Sequence, residues 1–396
     1  MSNYYSLYLH IPFCRHRCAY CDFNTYSGQD EFIPAYVKAL CDEIRYVGQI
    51  APYRLTVHTI YFGGGTPSLL STTDIENILK SCYETFNVLS EAEISLEANP
   101  GSITLEWLQT VRRLGVNRLS LGMQSAHPDD LRLLERQHDF FDVSQAVRWA
   151  RRAGFDNINL DLIYGIPHQS LARWRDTLER ALGLHPEHLS LYALTIEHAT
   201  PFYHWVARGL VPPPNDDLAA EMYEWADERL SQAGYLQYEI SNWARQRGTD
   251  VLMCRHNLQY WRNEPYLGFG AGAHGFANHT RTANVRGITT YIDRLSQRIE
   301  RSFPLTPATE QAQVIDPLTE MQETMLMGLR LTREGVSRQR FEQRFHRSLE
   351  EVFGPTINSL VSLGLLKWHG ERLCLTSRGR LLGNRVFMEF VSSPAS

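Results

Sequence analysis

The sequence contains 396 residues, of which 43% are hydrophobic and 21% are charged. This length exceeds what one hydrophobic core usually serves, so we expect one large domain and one smaller domain. The composition is that of a folded globular protein, which excludes disorder as the default state. The net charge of −5 gives no basic footprint, so we do not expect nucleic acid as a partner.

The amino-terminal segment and the cysteine usage together predict a cytoplasmic protein. Residues 1–6 have neither the basic nor the apolar region of a secretory signal. No apolar run approaches the ~20 residues of a membrane span. Three of the seven cysteines lie within eight positions, whereas Cys41, Cys82, Cys254 and Cys374 are scattered. An odd, clustered set is typical of a metal site in a reducing compartment and not of a disulfide framework.

The first half of the chain alternates short apolar runs with amphipathic stretches. The predicted strands are residues 6–11, 57–62, 93–97, 118–122, 158–163 and 189–194. The predicted helices are residues 33–47, 73–86, 105–114, 143–153 and 171–182. Six strands that alternate with helices indicate an α/β fold with a parallel sheet and right-handed crossovers. The pattern does not decide whether the sheet closes into a full barrel.

The second half contains two composition changes. Residues 211–216, with three consecutive prolines, form a stiff connector before a predicted helix at 217–233. The pattern is irregular from there to about residue 284, and the polar stretch 301–312 resembles a boundary. Helices followed by a hairpin at 364–368 and 372–376 indicate a winged-helix-like module. We therefore divide the chain into residues 1–210, 211–312 and 313–396.

The three clustered cysteines follow the first predicted strand and are Cys14, Cys18 and Cys21. Thiolates at this Cys-x3-Cys-x2-Cys spacing can hold three corners of an iron–sulfur cubane. Position 23 is Phe23 and no fourth cysteine is near, so one iron would stay open to a small molecule. Zinc is the alternative, with His10 or His16 completing its four ligands.

The spacing, with the aromatic Tyr20 before the last cysteine, resembles the signature of the radical S-adenosylmethionine (SAM) superfamily. The flanking segments HIPFC, which ends at Cys14, and CDFN, which begins at Cys21, resemble one branch of that superfamily. This branch contains the oxygen-independent coproporphyrinogen oxidases and the HemW-type heme chaperones. The resemblance covers nearly the whole chain. It implies a partial (β/α)6 TIM-like barrel, a smaller C-terminal α+β domain of winged-helix type, SAM, and a [4Fe–4S] cluster on the three cysteines.

Glycines and polar residues mark the predicted strand ends, where barrels of this type place their sites. Residues 61–68, YFGGGTPS, form a glycine turn that allows close approach of a ligand, and a plain tight turn is the alternative. Glu97 and Gln124 end the next two strands, and Asp161 lies in the fifth strand. The resemblance implies SAM contacts at Tyr8, Gly64, Gly65, Thr66, Glu97, Gln124, Arg136 and Asp161, with Tyr20 as a further contact.

Residues 256–261, HNLQYW, match an HNxxYW motif that is typical of HemW-type proteins and absent from the oxidases. Imidazole can ligate heme iron and aromatic rings can pack on the macrocycle, so we predict that His256 binds heme. A buried polar histidine beside core aromatics is the alternative. The oxidases also carry a further cysteine at the position of Phe23 and a longer amino-terminal extension. Residues 268–275, GFGAGAHG, form a small-residue loop that we expect to be flexible and to close the barrel mouth, although structural turns explain it nearly as well.

The predicted function is that of a heme chaperone that holds heme and a SAM-ligated [4Fe–4S] cluster and delivers heme to respiratory cytochromes. The resemblance implies no catalytic residue. The expected partners are heme, recipient cytochromes or heme donor proteins, and an electron donor such as flavodoxin or ferredoxin. We also expect peripheral association with a membrane, and a monomer or homodimer.

Three alternatives remain open from the sequence. The first is an oxygen-independent coproporphyrinogen III oxidase, which makes protoporphyrinogen IX by radical decarboxylation. The second is another radical SAM enzyme, such as a methyltransferase. The third is nucleic-acid binding through the C-terminal module, but glutamates offset its arginines there, so we expect a solvated or partner-docking surface.

Overall fold

The computed structural model describes residues 4–198, 200–297 and 299–391. The first three residues of the amino-terminal segment considered above lie outside these ranges. Within them, no helix combines the length and the apolar character that crossing a membrane requires.

Strands and helices alternate through the first half of the chain. Its strands are β1 (Tyr4–Ile11), β2 (Phe13–Cys14), β3 (Tyr26–Ser27), β4 (Thr56–Gly64), β5 (Asn87–Ala98), β6 (Arg118–Gln124), β7 (Ile158–Tyr164) and β8 (His188–Ala193). Its helices are α1 (Ile33–Ile50), α2 (Thr72–Thr85), α3 (Leu105–Arg113), α4 (Pro128–Leu133), α5 (Phe140–Arg152) and α6 (Leu171–Gly183). All six predicted strands and all five predicted helices are present.

Local sequence signals explain several of these boundaries. Ser71 and Asp74 form a capping box at the start of α2, and Asp139 and Asp142 form another at the start of α5. In a capping box, two side chains satisfy amide groups that have no partner inside the helix. The predicted starts of α2 and α5, at residues 73 and 143, lie within three residues of the observed starts. The pair β2 and β3 was not predicted, because two-residue strands carry no periodicity.

The middle of the chain contributes helices and short strands. The helices are α7 (Pro201–Ala207), α8 (Asp216–Gln232), α9 (Arg255–Trp261) and α10 (Ile288–Ser296). The strands are β9 (Tyr235–Glu239), β10 (Asn242–Arg247), β11 (Asp250–Val251), β12 (Tyr266–Phe269), β13 (His274–Ala277), β14 (Thr280–Asn284) and β15 (Thr309–Val314). The sequence pattern is irregular up to about residue 284 because tight turns separate these short strands. Asn278 and His279, for example, both have positive φ, as a two-residue hairpin turn requires.

One large sheet organises the first two parts of the chain. Strands β1, β4, β5, β6, β7 and β8 pair in that order and are all parallel, as successive strand–helix units predict. In the described part of the chain, β8 and β1 do not pair with each other. Instead β12 extends the sheet beyond β1, and antiparallel β10 extends it beyond β8. The partial, open barrel is therefore confirmed.

The last part of the chain has its own small sheet and core. Its elements are α11 (Pro317–Gly328), β16 (Val336–Ser337), α12 (Arg338–Phe345), α13 (Leu349–Ser362), β17 (Leu366–His369), β18 (Arg372–Leu375), α14 (Ser377–Leu381) and α15 (Gly383–Val391). Strands β16, β18 and β17 form a three-stranded antiparallel sheet over a separate apolar cluster that includes Phe341 and Phe353. The predicted winged-helix-like order is confirmed. The expected boundary at 312/313 falls inside β15.

Ion pairs join this module to the middle of the chain. Arg262, which follows α9, pairs with Glu334 at 2.7 Å, and Arg281 of β14 pairs with Glu323 at 2.6 Å. All four side chains are half-buried, so these pairs are less screened by solvent than surface pairs. The C-terminal module is thus tied to the end of the helix that carries the HNxxYW motif and to β14.

Candidate functional site

The three clustered cysteines lie on one loop at the end of β1. Cys14 is the last residue of β2, which pairs in parallel with β3, so the loop closes on itself between residues 14 and 27. The amide of Cys21 donates to the carbonyl oxygen of Cys18 at 3.1 Å. Cys14 is buried, Cys18 and Cys21 are partly exposed, and all three are free thiols. The predicted juxtaposition of the three side chains is a consequence of this local closure.

Polar side chains from other elements contact two of the thiols. The hydroxyl of Thr66 donates to Sγ of Cys14 at 3.5 Å, and Nη1 of Arg136 donates to Sγ of Cys18 at 3.5 Å. Burial raises the pKa of Cys14 and of Cys21. Because iron binds thiolate, metal binding at these thiols must release protons.

The glycine turn after β4 supports the cysteine loop directly. The amide of Gly65 donates to the carbonyl oxygen of Ile11 at 2.9 Å, and the amide of Thr66 donates to that of Phe13 at 2.8 Å. A Cβ atom on Gly65 would lie 2.7 Å from both carbonyl oxygens, closer than any side chain tolerates. The turn therefore requires glycine because of backbone packing against the cysteine loop, a reason that the sequence did not reveal.

One cavity of about 430 Å³ brings most of the predicted site together, and we call it the cysteine cavity. The predicted residues that line it are Cys14, Cys18, Tyr20, Cys21, Gly64, Gly65, Thr66, Glu97, Gln124, Arg136 and Asp161. They come from the loop and from the carboxyl ends of successive parallel strands, where α/β barrels place their sites. Tyr8 and His256 do not line this cavity.

Three polar atoms on the walls of the cysteine cavity are buried without a partner among the described residues. They are Oε1 of Gln124, Nε of Arg118 and Nε of Arg136. Gln124 also has a φ of 57°, a left-handed conformation that is unfavourable for a residue other than glycine at the end of a strand. Backbone strain and unsatisfied polar atoms concentrate at ligand sites. Both features indicate that a polar ligand binds here.

Two carboxylates give the cavity its charge. Glu97 accepts hydrogen bonds from the Tyr61 hydroxyl at 2.8 Å and from the Gly64 amide at 3.2 Å. Burial, with a smaller contribution from nearby Asp161, raises the pKa of Glu97 to about 7. Asp161 accepts a hydrogen bond from Ser120 at 2.8 Å, and burial raises its pKa as well. A cation placed between them would relieve their repulsion.

The side chains that line the cysteine cavity and that sequence reasoning missed include Tyr61, Arg118 and Asn257. Arg118 is 2% exposed, and its Nε has no partner among the described residues. The available signal was an arginine at the first position of a predicted strand, and the sequence analysis gave it no role. Asn257 is the second residue of the HNxxYW motif, which no sequence pattern connected to the SAM residues.

A second cavity, of about 680 Å³, lies next to the first, and we call it the aromatic cavity. Its walls include Tyr8, Tyr260, Trp261 and Tyr266. The Tyr8 hydroxyl is 2.9 Å from Nδ1 of His10. The structure therefore places Tyr8, which was predicted to contact SAM, against this neighbouring cavity.

Helix α9, which carries the HNxxYW motif, borders both cavities. Asn257 lines the cysteine cavity, whereas Tyr260 and Trp261 line the aromatic cavity. Glu93 of β5 fixes the start of the helix by accepting the amides of Arg255 at 3.0 Å and His256 at 3.1 Å. Helix α9 therefore separates the two cavities, and hydrogen bonds to Glu93 attach its first residues to the barrel sheet.

His256 itself is buried between α9 and the barrel sheet. It is 1% exposed, its Nδ1 lies 2.8 Å from the Thr59 hydroxyl, and its Nε2 lies 2.8 Å from the Tyr260 hydroxyl. Its ring also stacks on Tyr61 at 5.0 Å. Burial lowers the pKa of His256 to about 3, so the ring is neutral at physiological pH. Both nitrogens are engaged inside the protein, in agreement with the alternative interpretation of a satisfied buried histidine.

Hydrogen bonds to buried side chains hold the glycine-rich segment 268–275 in place, whereas we expected a flexible loop. The amide of Gly270 donates to the Glu43 carboxylate at 2.9 Å, and the amide of Ala271 donates to the Tyr36 hydroxyl at 2.8 Å. The side chain of Asn24, on the cysteine loop, donates to the carbonyl oxygen of Ala271 at 3.0 Å. Buried partners from α1 thus fix this segment beside the cysteine loop.

Comparison with known proteins agrees with this architecture. Residues 8–181 match the radical SAM superfamily, and residues 315–382 match the HemN C-terminal domain. The heme chaperone HemW of Bacillus subtilis is 38% identical over 98% of this chain and 99% of that protein. The heme chaperone HemW of Mycobacterium tuberculosis is 39% identical over 96% of this chain and 93% of that protein.

The chain belongs to the HemW family. Its fold is also similar to that of the Escherichia coli coproporphyrinogen III oxidase HemN, a radical SAM enzyme. That structure matches with a TM-score of 0.82 and 24% identity over 98% of this chain and 90% of that one. At this identity, the match establishes the shared fold alone.

As a HemW-family member of the radical SAM superfamily, the chain has SAM and a [4Fe–4S] cluster as its cofactors. The donor set of the cysteine cavity fits both, since three thiols share it with unpartnered polar atoms. No group of three His, Cys, Asp or Glu among the described residues is arranged for a single metal ion. An iron–sulfur cubane does not need three ligands converging on a single ion, because each thiolate binds a different iron.

The zinc alternative loses His10 as a fourth ligand, because both of its ring nitrogens are engaged. The ring nitrogens of His10 lie 2.9 Å from the Tyr8 hydroxyl and 2.9 Å from the Asn24 carbonyl oxygen. His16 faces Glu135 at 3.4 Å.

Proposed function

We propose that this protein is a heme chaperone that binds heme, keeps a SAM-ligated [4Fe–4S] cluster and delivers heme to respiratory cytochromes. The observation that carries the proposal is the similarity to the heme chaperone HemW of Bacillus subtilis along the full length of both chains. Phe23 supports it, because the coproporphyrinogen oxidases that resemble this chain have a cysteine at that position.

In this proposal Cys14, Cys18 and Cys21 hold the cluster, and the remaining iron is open to SAM. When bound, this pair supplies one-electron chemistry. Thr66 and Arg136 donate hydrogen bonds to the thiolates and so stabilise their charge. Gln124 and Arg136 offer SAM their unpartnered polar atoms.

Glu97 and Asp161 are the proposed partners of the positive charges of SAM. The two carboxylates share the cysteine cavity with Tyr20, Gly64 and Gly65, which were predicted as further SAM contacts. The Gly64 amide is already committed to Glu97, so the glycine turn orients that carboxylate as well as the cysteine loop.

SAM affinity is expected to rise with pH, because Glu97 titrates at a pKa of about 7. The sulfonium cation of SAM favours the ionised carboxylate, so apparent affinity should increase about tenfold per pH unit below that pKa and level off above it. Calorimetric titration of the anaerobic protein with SAM at pH 6, 7 and 8 measures this dependence. In Glu97→Gln the slope should flatten, whereas surface Glu106→Gln serves as the control. An unchanged slope in Glu97→Gln would show that another group is responsible.

The proposal also covers the domain organisation, the partners and the location of the protein. We place the SAM site in residues 1–210, the HNxxYW region in 211–312 and the winged-helix-like module in 313–396. Recipient respiratory cytochromes or heme donor proteins, together with flavodoxin or ferredoxin as electron donor, are the proposed partners. We propose a cytoplasmic monomer or homodimer that associates peripherally with a membrane. The ion pair between Arg262, at the end of α9, and Glu334 supports coupling between the C-terminal module and the site.

The decisive experiment follows two reactions on the same anaerobically reconstituted protein. Hemin titration should give a saturable absorbance change with a stoichiometry of about one. Incubation with coproporphyrinogen III, SAM and a reductant should give no decarboxylated product by mass spectrometry. Decarboxylated product in the absence of a stable heme complex would overturn the chaperone assignment and identify an oxidase with an unusual cluster loop.

A further inference from the structure

The aromatic cavity has the size and composition of a ligand site that the SAM assignment leaves unused. Its volume of about 680 Å³ falls within the range of ~300–1,000 Å³ that ligand pockets occupy. Tyr8, Tyr260, Trp261 and Tyr266 contribute aromatic surface to its walls. Such rings suit a large planar ligand, because they offer flat apolar contact at a small cost in side-chain entropy.

Three histidines lie in or beside this cavity, and they differ in one property that iron ligation requires. A neutral imidazole must present a nitrogen that is free to bind the metal. His256 and His10 both have two ring nitrogens engaged inside the protein. His274 is exposed, lines the cavity, and makes no side-chain hydrogen bond within the described residues.

Backbone contacts hold His274 in place although its ring is free. It is the first residue of β13 and pairs with Ala283 of β14. A Cβ atom on the facing Gly268 would lie 1.9 Å from the His274 carbonyl oxygen, so the neighbouring strand packs directly on this backbone. A rigid backbone with an unengaged imidazole is the arrangement that a preorganised ligand needs.

The tyrosines of the cavity are poorer candidates for iron ligation. Burial raises the pKa values of Tyr8, Tyr260 and Tyr266, so their phenols stay protonated. The hydroxyls of Tyr8 and Tyr260 are in addition bonded to His10 and His256. These rings therefore supply packing surface for a macrocycle.

Charge on the cavity wall orients such a ligand. Arg286 is exposed, lines the cavity, and forms no ion pair in the described ranges. The carboxylates of Asp22, Glu264 and Glu310 lie on other parts of the wall. Arg286 would therefore be the residue that pairs with an anionic substituent of such a ligand, since like charge would keep that substituent away from the carboxylates.

We propose that the aromatic cavity is the heme site and that His274 is an axial ligand of the iron, with Tyr260 and Trp261 packing against the porphyrin. This inference rests on the proposed function, since it assumes that the protein binds heme. It reassigns the HNxxYW motif: His256 positions the ring of Tyr260 through its hydrogen bond, and the motif's aromatic residues contact heme. Asp22 and Phe23 line both cavities, so the heme would lie across the cysteine loop from the cluster.

The test is hemin titration of the full-length protein and of single variants, followed by absorbance and by electron paramagnetic resonance of the ferric complex. His274→Ala is expected to weaken hemin binding at least tenfold and to lose the imidazole-ligated signature, and added imidazole should restore that signature. Iron and sulfide content of the cluster should not change. His369→Ala, an exposed histidine in the C-terminal hairpin, is the matched control and should behave like the unmodified protein.

His256→Ala separates the two histidines. It is expected to keep the imidazole signature and to lower affinity less than His274→Ala does. If His256→Ala abolishes the signature and His274→Ala leaves it intact, His256 is the ligand and the proposal is overturned. If the unmodified protein binds no hemin, the proposed function itself fails. If it binds hemin and His274→Ala changes neither the affinity nor the signature, only the assignment of His274 is overturned.

Discussion

Cys18→Ala is expected to lower the iron content of the reconstituted protein from about four atoms per chain to near zero. Cys18 is the middle thiol of the loop, and the alternative thiols nearby are only Cys14 and Cys21. Two thiolates cannot hold a cubane that already lacks a fourth protein ligand. The brown absorbance near roughly 400 nm should disappear together with the acid-labile sulfide.

The control for this experiment is Cys82→Ala. Cys82 lies in α2, is fully buried in the barrel core and has no polar contact with the cysteine cavity. Its replacement removes one buried sulfur and should leave iron content unchanged, at a stability cost of about 1 kcal/mol. Because Cys18 is partly exposed, Cys18→Ala should leave the melting temperature of the cluster-free protein nearly unchanged. Iron and sulfide that survive in Cys18→Ala would show that the ligand assignment is wrong.

Glu43→Leu is expected to lower the free energy of unfolding by about 3 kcal/mol or more. Glu43 is fully buried in α1, and its carboxylate accepts four hydrogen bonds. The donors are the Gly270 amide at 2.9 Å, Asn284 at 2.9 Å, Tyr291 at 2.7 Å and Thr306 at 2.7 Å. Leucine would leave the Gly270 amide and the Tyr291 hydroxyl without a partner among the described residues, and each such group costs about 1–3 kcal/mol, though not additively. Asn284 would keep its hydrogen bond to the Gly270 carbonyl oxygen, and Thr306 its contact with the Thr309 hydroxyl.

Asp42→Ala is the matched control, because Asp42 is the preceding residue on the same helix and faces solvent. It pairs with Lys38 at 2.6 Å and Arg45 at 2.9 Å on the surface, where such pairs contribute about 0–1 kcal/mol. Urea denaturation followed by circular dichroism compares the two variants. Because Glu43 pins the segment that leads to His274, Glu43→Leu should also weaken hemin binding. Equal stability of Glu43→Leu and Asp42→Ala would mean that the Glu43 cluster relaxes without penalty.

The predictions that depended on short-range sequence patterns agree well with the structure. The six parallel strands and five helices follow from the alternation of apolar periodicities, and the hairpin of the C-terminal module follows from its turn at Gly370. The parallel order of the strands follows from the chain order itself. The short strands between residues 235 and 284 escaped prediction, because their partners lie far away in sequence and their turns break the alternation.

The same distinction between short-range sequence patterns and long-range contacts applies to the candidate site. The juxtaposition of Cys14, Cys18 and Cys21 needs only a loop of about a dozen residues, so their spacing identified it. The strand-end residues Glu97, Gln124 and Asp161 converge because parallel strands bring their carboxyl ends to one edge. In contrast, Arg118 and Asn257 join this cavity through contacts that no local pattern encodes.

The sequence by itself determined the cysteine loop, the alternating α/β architecture and the family, since each of these is recorded in spacings along the chain. Only the tertiary structure decided the states of the histidines. His256 lies between Thr59 and Tyr260, and the helix that carries it starts on Glu93 of a strand far away in sequence. The ring of His274 has no hydrogen-bond partner in the described part of the chain, and β13 holds its backbone at the edge of the aromatic cavity. Burial and hydrogen-bond partners are set by long-range packing, so identical residue types acquire different chemistry.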